Sequence, residues 1–128
     1  MHPDLPIETT LEVRDRCLCL QAQRAARAPA RLFDDAFRPF GVTNGQFSIL
    51  MSLNRPDPPR ISDLAPFLAM DRSTLTAALK PLERRGLVVI RPDAKDRRSR
   101  RPELTEAGRD LLLACLPAAW ILLTPERL

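Results

Sequence analysis

Between Asp71 and Leu104 the hydrophobic period of this chain changes once, and it changes at a glycine. Leu75, Ala78, Leu79 and Leu82 recur at helical spacing, and Asp71 stands ahead of them as a suitable N-cap. Gly86 can close that helix in a left-handed conformation, with Arg84 and Arg85 favourably placed at its negative end. The residues Leu87-Val88-Val89-Ile90 then read as a strand. Positions 91–101 form a charged excursion with Pro92 and Asp93 as turn signals, and Arg100 to Leu104 returns as a second strand. Pro102 lacks an N–H and confines that strand to a sheet edge.

Upstream, Thr43 and Gln46 have capping-box spacing at the start of a helix through Phe47, Ile49, Leu50, Met51 and Leu53. A proline-rich loop, Arg55 to Pro59, follows. Arg60-Ile61 is read as a very short strand, and Ser62 as the N-cap of a short helix through Leu64, Ala65, Phe67 and Leu68, with Pro66 in its first turns. Ala69 and Met70 make the turn into the next helix. After the hairpin, Thr105 caps a last helix to Ala119 that buries Leu111, Leu112, Ala114, Cys115 and Leu116, and Pro117 interrupts its end.

The segment from Glu8 to Phe40 reads as one long amphipathic helix or two in line, with Pro29 expected to kink or break it and Pro39 and Gly41 to end it. Some 30 helical residues run about 45 Å, whereas a compact globule of this size is roughly 36 Å across. Either the helix overhangs and buries its apolar face on another chain, or Pro29 folds it back on itself.

Composition excludes much. The chain has 128 residues, with 28% charged and 45% hydrophobic, an ordinary globular balance for a single domain. No apolar run approaches the ~20 residues of a membrane span, and the first ten residues lack the apolar core of a secretory signal. Three cysteines without a disulfide framework fit a reducing cytoplasm. With one histidine, His2, neither a Ser-His-Asp site nor a multi-histidine metal site can be built. No nucleophile–base pair or phosphate-binding glycine loop is present, so no enzyme and no cofactor is expected.

The charge is unevenly distributed. Arg72 to Arg101 holds ten basic and three acidic residues, net +7, which leaves the remainder at −3 within an overall +4. A short helix, a tight turn, a second helix ending in glycine and a basic hairpin describe a winged helix-turn-helix, mostly α with a small β-hairpin wing. The second helix of such a pair fits the major groove. Arg72, Ser73, Thr74 and Thr76 occupy its first turns and Lys80 follows, where bases and phosphates would lie. The hairpin carries Lys95, Asp96, Arg97, Arg98 and Arg100, and an arginine on a β-ribbon suits the narrow, electronegative minor groove.

Three stretches carry a family resemblance. They are Met70-Asp71-Arg72-Ser73-Thr74-Leu75, then Leu82-Glu83-Arg84-Arg85-Gly86-Leu87-Val88, then Asp96-Arg97-Arg98 followed by Leu104-Thr105-Glu106-Ala107-Gly108. Together with Thr43-Asn44-Gly45-Gln46-Phe47 they resemble the MarR family of bacterial transcription regulators, over about Leu18 to Trp120. The resemblance implies a homodimer, with 8–40 and 105–128 as dimerisation helices and 43–104 as the DNA-binding region. It implies that Arg98 enters the minor groove, that Asp96 holds the wing by pairing with a neighbouring arginine, and that the helix from Arg72 reads a pseudo-palindromic operator. Against the family pattern the segment after Trp120 is short, and Pro81 in the recognition helix and Pro102 in the wing are unusual.

The function expected is a dimeric repressor that binds double-stranded DNA and is released by a small apolar or aromatic effector. Phe33, Phe37, Phe47 and Met51 would line the effector crevice, or else simply form core. A second reading is a thiol-based peroxide sensor. The position of Cys19 resembles the reactive cysteine of the hydroperoxide-sensing branch, with Gln23 and Phe33 in place of that branch's tyrosines and Cys115 as a candidate resolving thiol. A third is a shortened protein-interaction module that forms mixed dimers.

Overall fold

The computed structural model describes residues 2–123. The long amphipathic segment is two helices, but the break is not at Pro29. Helix α1 spans Ile7–Arg16 and α2 spans Leu18–Phe37, with Cys17 extended between them at ψ 102°. The Gln21 side chain stabilises the break by donating from Nε2 to the Arg14 carbonyl at 2.6 Å, satisfying one of the acceptors that the end of α1 leaves open. Helix α2 runs on through Pro29. The proline removes the donor to the Ala25 carbonyl, but residues 22–29 are all exposed, so water can replace it.

A 3-10 turn, Arg38–Phe40, leads to α3, Asn44–Ser52, which starts with the expected capping box. Thr43 Oγ1 accepts from the Gln46 N–H, and Gln46 Oε1 accepts from the Thr43 N–H, both at 3.1 Å. Asp34 of α2 adds a further anchor by accepting from both the Asn44 N–H and its side-chain amide. These bonds to the charged form hold the Asp34 carboxyl below the usual carboxylate range.

No strand forms at Arg60-Ile61. Arg60 is itself the N-cap residue of α4, Ile61–Phe67, so Ser62 lies inside the helix and Pro66 falls in its last turn. Arg60 supplies no capping side chain; its guanidinium pairs with Asp63 one turn on, at 3.0 Å. Helix α4 ends in a Schellman motif: the Ala69 N–H donates to the Pro66 carbonyl and the Met70 N–H to the Ala65 carbonyl. Helix α5, Arg72–Arg84, closes the same way on Gly86 at φ 71°, with bonds from Gly86 to Glu83 and from Leu87 to Leu82. Arg85 does more than complement that helix end, since its Nη1 donates to the Gly41 carbonyl at 2.8 Å and ties α5 to the α2–α3 corner.

Strand β1, Val88–Pro92, starts one residue later and ends two residues later than the sequence suggests. It pairs antiparallel with β2, Arg100–Leu104, from Val88 opposite Leu104 to Pro92 opposite Arg100. Helix α6, Glu106–Leu122, continues through Pro117, for the reason given for Pro29: the carbonyl left without a donor belongs to Leu113, which is exposed. Ala114 is exposed rather than buried. Thr105 caps α6 by accepting from the Gly108 N–H and donates its hydroxyl to the Gly86 carbonyl. A Cβ at Gly108 would lie 2.2 Å from the Leu87 carbonyl oxygen, so only glycine lets α6 lie this close to the hairpin. The expected C-terminal segment beyond Leu123 lies outside the described residues.

Two hydrophobic clusters result. Leu50, Leu53, Leu64, Leu75, Leu79, Leu82, Val88, Leu104 and Leu112 fill the space between α3, α4, α5, the hairpin and α6. Phe37, Val42, Cys115 and Ala119 form a second cluster where α2 meets α6, and Phe47 and Leu111 pack against both. This is a winged helix-turn-helix with long helices at either end.

Candidate nucleic-acid interface

Helix α5 separates its two faces cleanly. Leu75, Leu79 and Leu82 are fully buried, while Arg72, Thr76 and Lys80 follow one exposed stripe at four-residue spacing, with Ser73 and Thr74 also exposed. The apolar stripe docks the helix, and the polar stripe is thereby fixed outward. The hairpin then brings its basic residues to the same side. Arg98, Ser99 and Arg100 line one groove of about 220 Å³ with Arg72, Thr76, Ile61 and Ser62. Two elements 20 or more residues apart in sequence thus present guanidinium groups to a shared surface.

Those cations have no acidic partners. Among the described residues Arg72, Lys80, Lys95, Arg97, Arg98 and Arg100 make no ion pair, although Arg14, Arg16, Arg38, Arg60, Arg91 and Arg101 all do. An anion can therefore approach this face without any protein ion pair being broken.

The wing is ordered from within, but not as the resemblance implies. Asp96 pairs with no arginine. Its carboxylate accepts from the Arg98 N–H at 3.1 Å and from the Ser99 hydroxyl at 3.3 Å, turning the tip. The arginine pair belongs to Asp93, a turn residue by its sequence context. Asp93 is 6% exposed, and its Oδ1 accepts from Arg101 Nε while its Oδ2 accepts from the Asp96 N–H. Arg101 beside it holds the Asp93 carboxyl below the usual carboxylate range. A carboxyl lowered in this way stabilises the fold above the unfolded-state carboxylate range, and that contribution is lost as pH falls through the lowered value.

The four proposed effector residues are placed differently from one another. Phe33, Phe37 and Phe47 stack in succession, with ring centroids 5.7 and 4.5 Å apart, and Phe37 is fully buried in the second cluster. They form core. Met51, one turn beyond Phe47 on α3, packs with it against the first cluster and lines a groove of about 190 Å³ with Asn54, Arg109, Leu112, Leu113 and Leu116. Cys19 is exposed on α2, with Gln23 Nε2 3.9 Å from its sulfur. Cys115 is buried, and burial pushes its thiol pKa up.

Comparison with known proteins agrees with this architecture. Residues 42–99 match the model of the MarR family. The chain is 39% identical over 72 residues to the transcriptional activatory protein BadR of Rhodopseudomonas palustris, covering 54% of this chain and 41% of that protein. It is 37% identical over 78 residues to the HTH-type transcriptional repressor NicR of Pseudomonas putida, covering 61% and 49%. The chain thus spans about half the length of these curated relatives. Among solved structures it resembles the M. tuberculosis transcriptional regulator MOSR in complex with DNA, at TM-score 0.73 and 39% identity over 80% of this chain and 74% of that one. With the family model matched across the helix-turn-helix and wing and the fold shared with this regulator, the chain belongs to the MarR family of transcription regulators.

Proposed function

We propose that the chain is a sequence-specific DNA-binding regulator that acts as a homodimeric repressor and releases a pseudo-palindromic operator when a small apolar or aromatic effector binds. The observation that carries this reading is the shared groove: Arg72 and Thr76 of α5 with Arg98 and Arg100 of the wing, all exposed and none ion-paired. The polar stripe of α5 would lie in the major groove, with Ser73, Thr74 and Lys80 reaching bases and phosphates, and the tip residues Lys95, Arg97 and Arg98 would follow the adjacent backbone and minor groove. The solved complex of the related MOSR with DNA supports the same reading.

Unpaired arginines favour a nucleic acid over an interaction-module role, because a protein partner would need a matching acidic face whereas DNA supplies phosphates at every step. The test begins with selection of bound duplexes from random DNA, in which a palindromic consensus is expected. On the selected site, affinity should fall with salt at a log–log slope of roughly −0.9 per phosphate neutralised. Arg98→Ala is expected to cost about 1–3 kcal/mol of binding; wild-type affinity in that variant would remove the wing from the interface.

A further inference from the structure

Successive residues of β2 point to opposite sides of the hairpin, and here the alternation separates two arginines. Arg100 lines the groove shared with α5, whereas Arg101 lines the cleft on the other side, among Asp57, Pro58, Asp93 and Asp96. The Arg101 guanidinium is forked. Nε donates to the carboxylate of Asp93, and Nη1 donates to the carbonyl of Pro58 in the α3–α4 loop, 43 residues away in sequence. Asp57 of the same loop stands 3.9 Å from Nη1.

From that fork a continuous series of hydrogen bonds leads to the wing tip. Asp93 accepts from the Asp96 N–H with its second oxygen, and Asp96 in turn accepts from the Arg98 N–H. Asp93 is the one buried charged residue of the described chain, so its orientation is fixed by these partners rather than by solvent. Hairpin and loop are thereby joined at the root, and the tip is built on that joint.

We propose that Arg101 is a positioning residue for DNA recognition, a clamp that sets the wing against the helix-turn-helix so that Arg98 reaches the duplex. The proposal rests on the DNA-binding reading above. A purely structural Arg101 would stabilise the fold without regard to Arg98; a positioning Arg101 acts through Arg98, and the two must be coupled in binding.

A double-mutant cycle on the full chain separates these cases. Operator affinity is measured for wild type, Arg98→Ala, Arg101→Met and the double variant, each corrected for its folded fraction by circular dichroism. Arg101→Met leaves a buried carboxylate without its partner, which lowers the folded fraction. The pair Asp93→Asn with Arg101→Met removes both charges and is run beside it, with and without Arg98→Ala. Arg98→Ala alone should weaken binding about tenfold or more. In either clamp-free background the further loss from Arg98→Ala should shrink to less than about threefold, and the salt slope of Arg101→Met should match that of Arg98→Ala. Full additivity of the losses, with an unchanged salt slope for Arg101→Met, overturns the clamp while leaving DNA binding intact. Absence of operator binding by the wild type overturns the underlying reading, and the clamp with it.

Discussion

Ala69 holds φ at +55° in the turn between α4 and α5, in the left-handed region that a residue with a Cβ reaches at a cost of roughly 1–2 kcal/mol. It is kept there by the two Schellman bonds that end α4, to Pro66 and Ala65. Glycine would keep both bonds and relieve the contact, at some cost in unfolded-state entropy. Ala69→Gly is therefore expected to raise stability by about 0.5–1 kcal/mol, read as a higher urea midpoint at an unchanged m-value; a lower midpoint would show that the backbone is not strained at this position. Residue-scale chemistry was legible where it is local. The Thr43–Gln46 box, the Thr105 cap on Gly108 and the closure of α5 at Gly86 use partners within a few residues, and their spacing in the sequence announces them. Asp93 was not legible, because its meaning depends on Arg101 and, through Arg101, on the Pro58 carbonyl on another element. The arginine was visible and so was the turn, but no spacing rule connects a strand residue to a loop 43 positions away.

At the scale of the element, the prolines gave the least reliable signal. Pro29, Pro81 and Pro117 all lie inside helices. A proline breaks a helix when the carbonyl it deprives of a donor is buried, and is tolerated when that carbonyl meets water. The residues four positions earlier, Ala25, Ala77 and Leu113, are all exposed, so the helices persist. Sequence shows the proline but not the solvent beside the preceding turn. Conversely the break at Cys17 carries no glycine or proline, and the Gln21 side chain that satisfies it sits seven residues beyond the carbonyl it reaches. The recognition helix and hairpin were legible as elements because Asp71, Gly86 and the change of period agree, although Asp71 makes no side-chain cap bond and the wing's arginine pair falls to Asp93. The prolines still cost stability even where they are tolerated. Pro29→Ala restores one helical hydrogen bond and removes the ring's contact with the preceding turn, and is expected to raise the thermal midpoint, by up to about 3 kcal/mol in stability. Calorimetry checks it, and an unchanged midpoint would mean that α2 accommodates the ring without penalty.

Across the whole molecule, charge and apolar surface are sorted to different regions. The exposed large hydrophobics Leu5, Ile7, Leu11, Val13, Leu18, Leu32, Leu113, Trp120, Ile121 and Leu123 belong to the terminal helices and their flanks; of those described, only Phe67 lies in the winged helix-turn-helix. The unpaired cations lie mainly on the recognition helix and wing. In the proposed two-fold dimer the apolar part would be buried and two copies of the basic part would face successive turns of DNA. Leu18 is 82% exposed in the single chain, so on that chain alone Leu18→Glu belongs among surface changes worth within about 0.5 kcal/mol. If a second copy covers it, burial of a leucine is worth about 1.5–3 kcal/mol, and the glutamate should weaken dimerisation about tenfold or more. Phe67→Glu is the matched control, since Phe67 is 68% exposed but lies on α4, away from the terminal helices. Sedimentation equilibrium over a range of concentrations reads both: a dimer lost in Leu18→Glu and kept in Phe67→Glu is expected, and equal behaviour of the two would show that Leu18 is not part of an interface.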